Sequence, residues 1–482
     1  MAIKKFFASK DNTITDGYGS VRTTRATDAN MGASDILEVY SLYGSFNSSS
    51  LEKSRILLQF DTSDLAAKRT AGDIPASGST TFFLKLTNAP HVGTYATDFT
   101  LTINALSQTW DEGIGLDMDE YLDRGVSNWL TASSTGGTTY TTWATTGSSY
   151  HVNPEYTATF TTGLENLSVD VTTLVEQWLA GTKSNYGFLI KLTSTQENGA
   201  GNTIASSSYY STKFFGRGSE YFFKRPTLQA EWNSSKGDDR GNFYASSSIA
   251  AEDENTNTLY LYNRVRGQLR NLPDMTGTIY VNYYDALTSS AGLSTSDTEI
   301  INTSAVTGGW VNTGIYSASS ILDTTASIVY DVWFSGSTQY HTGSPISVKD
   351  FAMSDYNPDS QHVINITNLR ATYSTSEKQR IRLFIRDKGW NPTIYTTATS
   401  KITSKIVEKV YYSVTRVVDN WEVIPYATAS TSGTLMSYDV SGSYTDLDFS
   451  NFEKGYQYEI AFKLYLQGKY IEPTDTFKFR VE

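Results

Sequence analysis

The four histidines, His91, His151, His341 and His362, stand alone along the chain. None belongs to an HExxH motif, and no GxSxG, GxxxxGK or GxGxxG occurs. The compact signatures of zinc hydrolysis, serine acyl transfer and phosphate binding are therefore missing. Cysteine is absent as well, which removes thiolate metal sites and disulfides. Glycoside hydrolysis needs only two carboxylates at a suitable separation and leaves no local trace. Nothing announces the deep cleft of a dedicated enzyme, and a non-enzymatic role is expected.

Three groups of residues still have types and spacings that can do chemistry. The first is the acidic run DEGIGLDMDEYLD, residues 111–123. Asp117 and Asp119, with Asp111 or Asp123, offer the hard oxygens that calcium takes in sets of roughly six to eight. The run lacks the glycine and terminal glutamate of an EF-hand loop, and solvated acidic surface is the other reading. Calcium held there would be structural, fixing the loop to the body of the protein. The second group is Trp110, Trp129 and Trp143, which flank the same run. Exposed, they would stack on sugar rings; buried, they would pack the base of the loop. The third is EKQRIRLFIRDKGWN, where Lys378, Arg380, Arg382, Arg386 and Lys388 make a locally basic strand. It reads either as a face for an acidic protein partner or as an edge strand guarded by charge against aggregation.

These groups have to be positioned by a β scaffold. Of 482 residues, 39% are hydrophobic and 18% charged, with 33 Tyr, 22 Phe and 9 Trp, a composition too aromatic and too weakly charged for disorder. At roughly 100 to 200 residues per domain the length predicts about three domains. Ser and Thr are abundant and strong helix formers scarce, which favours short strands and polar turns. The net charge of −12, without a Lys/Arg-rich tract, argues against nucleic acid as a partner. No apolar stretch is long enough to predict a membrane span, and the N-terminal run Phe6, Phe7, Ala8 is too short for a signal peptide.

Strand-like runs in the first 233 residues include Ile36 to Tyr40, Arg55 to Phe60, Thr81 to Leu86, Phe99 to Leu106, Tyr186 to Leu192 and Pro226 to Trp232. DVTTLVEQWLAG interrupts them. There Val171, Leu174, Val175, Trp178 and Leu179 take helical spacing behind Asp170 and before Gly181, which predicts one short amphipathic helix with Trp178 in the core. Residues 131–151 read as a long surface loop and 234–257 as a linker. Strands resume at Leu259, and Asn-Pro-Asp-Ser near 353–361 marks a seam. This leaves an immunoglobulin-like unit over 258–355 and another over 356–482. YDVWFSGSTQY at 330–340 and YEIAFKLYLQGKY at 458–470 echo one another as penultimate hairpins.

The first unit resembles the DNRLRE domain family. The likeness is carried by ASKDNTITDG near the start, Asn30-Met-Gly-Ala-Ser-Asp-Ile-Leu37, SRILLQFDTSDL at 54–65, TWDEGIG at 109–115 with Trp129 and Trp143, DVTTLVEQWLAG, NYGFLIKL at 185–192 and the closing Arg225-Pro226-Thr-Leu228. It implies a jelly-roll-like β-sandwich of the kind found on bacterial surface proteins and on virions of tailed bacteriophages. The last unit resembles fibronectin type III through FEKGYQYEIAF at 452–462, which implies a tyrosine corner at Tyr456 or Tyr458.

The expected fold class is thus all-β: a jelly-roll-like sandwich with one short amphipathic helix, followed by two immunoglobulin-like sandwiches. The combination looks like a structural protein on the exterior of a tailed-phage virion, in a neck, collar, fibre, tail or capsid-decoration position. Its expected partners are other virion proteins and further copies of itself, and its expected location is the particle, reached without a signal peptide. The alternative expectation is an adhesin that binds host polysaccharide through the N-terminal sandwich.

Overall fold

The computed structural model describes residues 3–482 apart from 46–49, 93–94, 123–125, 136–138, 199–207, 274, 276–277, 286–304, 352–360, 391–403 and 429–430. Contacts divide the chain into two compact units, residues 2–233 and 234–482. The fold is all-β with a few short helices.

In the first unit, the strands Ile3–Phe7, Thr227–Glu231, Thr81–Leu86 and Leu167–Asp170 form one antiparallel sheet. The facing sheet runs Ser208–Phe215, Ile36–Tyr43, Leu51–Gln59, Phe188–Leu192, Phe99–Leu106 and Tyr150–Phe160, and Lys10–Thr15 also pairs with Leu51–Gln59. Alternation sends Ile56 and Leu58 into the core between the sheets, where they meet Phe82, Leu84, Phe188 and Ile190. Leu57, Leu189, Leu106 and Ile14 point the other way and are just as buried, because the segment after residue 106 covers the outer face of the large sheet. Buried on both faces, Phe188–Leu192 is apolar at every position but Lys191, which is buried as well.

The predicted helix is Thr172–Leu179. Asp170 Oδ1 accepts from the Thr172 amide at 2.9 Å, and Gly181 ends the helix at a φ of +70°. Leu174, Val175 and Trp178 enter the core, where the indole stands edge-on to Phe188 with ring centres 4.8 Å apart. A second helix, Ser63–Thr70, was not expected; its Arg69 forks onto Glu176 at 2.8 and 2.7 Å.

The second unit contains one eight-stranded sheet around its own core, followed by a sandwich of two sheets that shares several of its strand pairings. In that sandwich, His362–Ile366, Lys378–Asp387, Gly442–Asp448 and Ser437–Asp439 make one sheet. Phe477–Val481, Gln457–Leu466, Lys409–Arg416 and Trp421–Ile424 make the other. This is the strand order of an immunoglobulin-like Greek key. Tyr458 makes the tyrosine corner: its hydroxyl donates backwards to the Glu453 carbonyl at 2.7 Å, while Tyr456 stays exposed. In the preceding sheet Ile328–Ser335 pairs with Tyr280–Tyr284, Thr338–Thr342 and Ile346–Lys349. Gln457–Leu466 likewise pairs with Lys409–Arg416, Lys469–Ile471 and Phe477–Val481. The echo between the two sequences therefore marks equivalent hairpins. In both parts a two-residue strand, Phe243–Tyr244 or Thr372–Tyr373, lies parallel to the final strand.

Two expectations about connections need correction. Residues 234–257 are not a linker but part of the second unit, with the turn Asp239–Gly241, the strand Phe243–Tyr244 and the helix Glu252–Asn255. Asp238 and Arg240 of this stretch pair with one another and Asp239 is buried against Tyr438, while Glu252, Asp253 and Glu254 stay exposed. Residues 131–151 are not one long loop: Thr131–Thr135 pairs with Thr139–Thr142, and Tyr150 begins a strand of the large sheet. The seam at 353–361 falls almost wholly outside the described residues.

Candidate interaction surface

The residues marked by the sequence fall into structural roles. Trp110, Trp129 and Trp143 are 1%, 5% and 5% exposed and seal the outer face of the large sheet with Leu57, Leu106 and Leu189. Trp110 Nε1 donates to the Tyr186 carbonyl at 2.9 Å and Trp143 Nε1 to the Asn128 carbonyl at 2.8 Å. The Trp129 ring lies under the Arg55 guanidinium at 5.0 Å, and the Arg55 fork is closed on Glu197 at 2.6 and 2.8 Å. Gly147, at a φ of +81°, passes so near Trp129 that a Cβ would sit 2.7 Å from the ring. None of these indoles presents a face to a sugar, so the stacking role for all three is corrected to packing.

The acidic run does not converge either. Asp111 Oδ2 accepts from the Ser134 amide, Asp117 Oδ1 from the amides of Asp119 and Glu120, and Asp119 Oδ1 from the Ser20 amide. Asp123 lies outside the described residues, and among the described residues no three acidic or histidine side chains are grouped to hold a metal. The oxygens proposed for calcium are spread over separate backbone donors. Glu112 instead joins Asp11, whose amide it accepts at 2.8 Å, and Arg217, which forks onto it at 3.1 and 2.7 Å. Burial pushes the Asp11 carboxyl from the ordinary 3.8 up to about 7, and the Glu112 charge adds to the rise. This carboxyl pair ties a strand to two loops and is closed to solvent at Asp11.

The basic strand is no edge. Lys378–Asp387 lies between His362–Ile366 and Gly442–Asp448. Arg380 forks onto Asp446 at 2.8 and 3.0 Å, Arg382 onto Asp439 at 2.9 and 2.7 Å, and both guanidinium groups stand over the Tyr444 ring. Their charges are answered within the sandwich. Arg386 Nη1 reaches the Asp387 carbonyl at 3.4 Å, and Lys388 is left exposed just beyond the strand.

A set of residues that the sequence reading passed over is arranged for contact. RVRGQLR, residues 264–270, folds into a small hairpin in which Arg264 and Val265 pair with Leu269 and Gln268. Arg266 and Gly267 both have left-handed backbone, at φ of 53° and 81°, as a two-residue type I′ turn requires. Arg270 donates its amide to Asn263, and Asn263 in turn donates to the Gly314 carbonyl at the turn between Val306–Asn312 and Ile315–Ser320. Asn271 Oδ1 accepts from both the Gly314 amide at 2.8 Å and Trp310 Nε1 at 3.3 Å. The hairpin and the indole are thereby fixed side by side.

The chemistry of that surface follows from its exposure. The register slips between Trp310 and Asn312, a bulge that leaves both Trp310, at 59%, and Val311 facing solvent. Val265 is exposed beside them, and Arg264, Arg266 and Arg270 make no ion pair among the described residues. Trp and Arg are the side chains that dominate binding energy at interfaces. Three Arg within seven positions around a glycine turn, in an otherwise acidic chain, is the signal that could have found it.

No protein-family model matches the chain, and no curated protein matches it. Among solved structures, a chimeric titin Z1Z2-Z1Z2 tandem is 11% identical over 47% of this chain and 91% of its own, with a TM-score of 0.15. A marsupial T cell receptor is 7% identical over 47% and 68%, with a TM-score of 0.14. A DUF4785 family protein from Legionella pneumophila is 10% identical over 93% and 90%, with a TM-score of 0.13. Scores this low add nothing to the strand order described above.

Proposed function

We propose that the chain is a structural protein of a tailed-bacteriophage virion, exposed on the particle and acting through contacts with other proteins. The observation that carries the contact role is the Trp310 surface, where an oriented indole, two valines and three arginines that make no ion pair among the described residues are displayed together. Elsewhere the aromatic and paired charged residues singled out from the sequence are used inside the fold. The resemblance of the first unit to DNRLRE domains and of the last to fibronectin type III supports the virion setting. Among the described residues no helix is long and apolar enough to cross a membrane.

Immunogold or cryo-electron microscopy of purified particles, with an antibody to the last sandwich, tests the reading. Regular labelling at a fixed position on head, neck or tail is expected. Particles that carry no label would overturn the virion role. Polysaccharide binding through Trp110, Trp129 and Trp143 is not favoured, since those rings are buried.

A further inference from the structure

We infer that the Trp310 surface docks on a second copy of this chain, at the acidic and apolar face formed by residues 113–122 of that copy. The inference names a partner for the contact role proposed above and rests on it.

The receiving face is built into the first unit. Residues 113–122 run along residues 17–33: the Ala33 amide donates to the Gly115 carbonyl at 3.0 Å, the Asn30 amide to the Tyr121 carbonyl at 2.9 Å, and the Ser20 amide to Asp119 Oδ1 at 2.8 Å. Gly113 and Gly115 press on Asn30 so closely that a Cβ would stand 1.5 and 1.8 Å from its atoms. Held down at its glycines, the stretch turns Ile114, Leu116, Tyr121 and Leu122 outward, next to exposed Val21. Asp117, Asp119 and Glu120 are exposed among them and, like Arg22 beside Val21, make no ion pair among the described residues.

Charge and apolarity select the occupant together. A cluster of exposed arginines that make no ion pair among the described residues, on a chain of net charge −12, asks for an anionic partner. A purely acidic polymer would satisfy Arg264, Arg266 and Arg270 but offers little to cover Val265 and Val311. The 113–122 face offers both carboxylates and aliphatic side chains. Because the two faces are different parts of one chain, each copy carries both, and the contact joins unlike faces. It closes reciprocally in a two-fold dimer or in a larger ring, or continues as a filament.

Sedimentation velocity of the full chain over a concentration series tests this. Dimers or larger species are expected, dissociating as salt is raised because the contact is partly ionic. Two variants each lose one face: Arg264→Glu/Arg270→Glu, and Leu116→Ser/Glu120→Arg. Each alone should associate about tenfold more weakly or worse, whereas an equimolar mixture should give one-to-one dimers and nothing larger, which also shows that both variants are folded. A monomeric wild type, variants that associate normally, or a mixture that stays monomeric would each overturn the inference. So would polygalacturonate bound through Arg264 and Arg270 to a monomeric wild type, which would assign the surface to an acidic glycan. Labelled particles from a chain that does not self-associate would sink the self-contact and leave the virion reading standing.

Discussion

Asp11 shows how far a side chain's chemistry can depart from its place in the sequence. It sits in a polar strand that reads as surface, yet it is buried against Glu112 and the Arg217 amide, 101 and 206 residues away. Its carboxyl titrates near 7 in the fold and near 3.8 in the unfolded chain. Between those values the native state holds the extra proton, so stability from this group is fully present below about pH 4 and is lost as pH rises toward 7. The loss runs through that window and is complete above it. Asp11→Asn cannot lose the proton. Urea unfolding should therefore find the variant more stable than the wild type at pH 8, with the advantage gone at pH 4; an equal shift at both pH values would contradict the assignment. No sequence rule could have paired these groups, because the pairing depends on three distant segments meeting. Tyr458 was legible because its partner lies five residues back in the same turn.

At the scale of elements, what was readable is what is local or periodic. The helix Thr172–Leu179 followed from 3.6-residue spacing and a stop glycine, and most strands from alternation. What was not readable is strand order and what covers a face. Lys378–Asp387 reads as an edge because it is basic, but the carboxylates that answer it, Asp439 and Asp446, come from strands more than fifty residues on. The stretch 234–242 fails for the same reason. Arg240 forks onto Asp238 and reaches Asp331, which is fully buried and also accepts from Trp333 Nε1 at 2.6 Å. Asp239 accepts from the Tyr438 hydroxyl at 2.7 Å and from the Thr258 amide. This clasp ties the last sandwich of the second unit to the sheet before it. Arg240→Met strands Asp331 and Asp238 without their cation and should cost about 3–5 kcal/mol. Calorimetry should show the transition of the second unit falling while that of the first stays in place. Arg240→Met/Asp331→Asn should recover part of the loss, since the amide oxygen still accepts from Trp333 while the buried charge is gone. A single variant that melts like the wild type would rule the clasp out as a source of stability.

At the scale of the whole molecule, the chain uses much of its aromatic and charged chemistry in packing and pairing and holds Trp310 outward at an oriented surface. Trp110, Trp129, Trp143 and Trp178 are consumed by the folds, while Trp310 is held outward by a bulge and an asparagine. The claim that the protein works by protein contact through that surface can be tested at a single atom's reach. Val311 would be replaced by a photoreactive benzoylphenylalanine in the full chain, with Val418, exposed elsewhere in the second unit, replaced in a control. Purified particles, or the concentrated protein, would then be irradiated and the adducts sequenced by mass spectrometry. Position 311 should crosslink to protein, peptides covering residues 113–122 among them, and position 418 should not. No protein adduct at 311, or the same adducts from both positions, would contradict the claim.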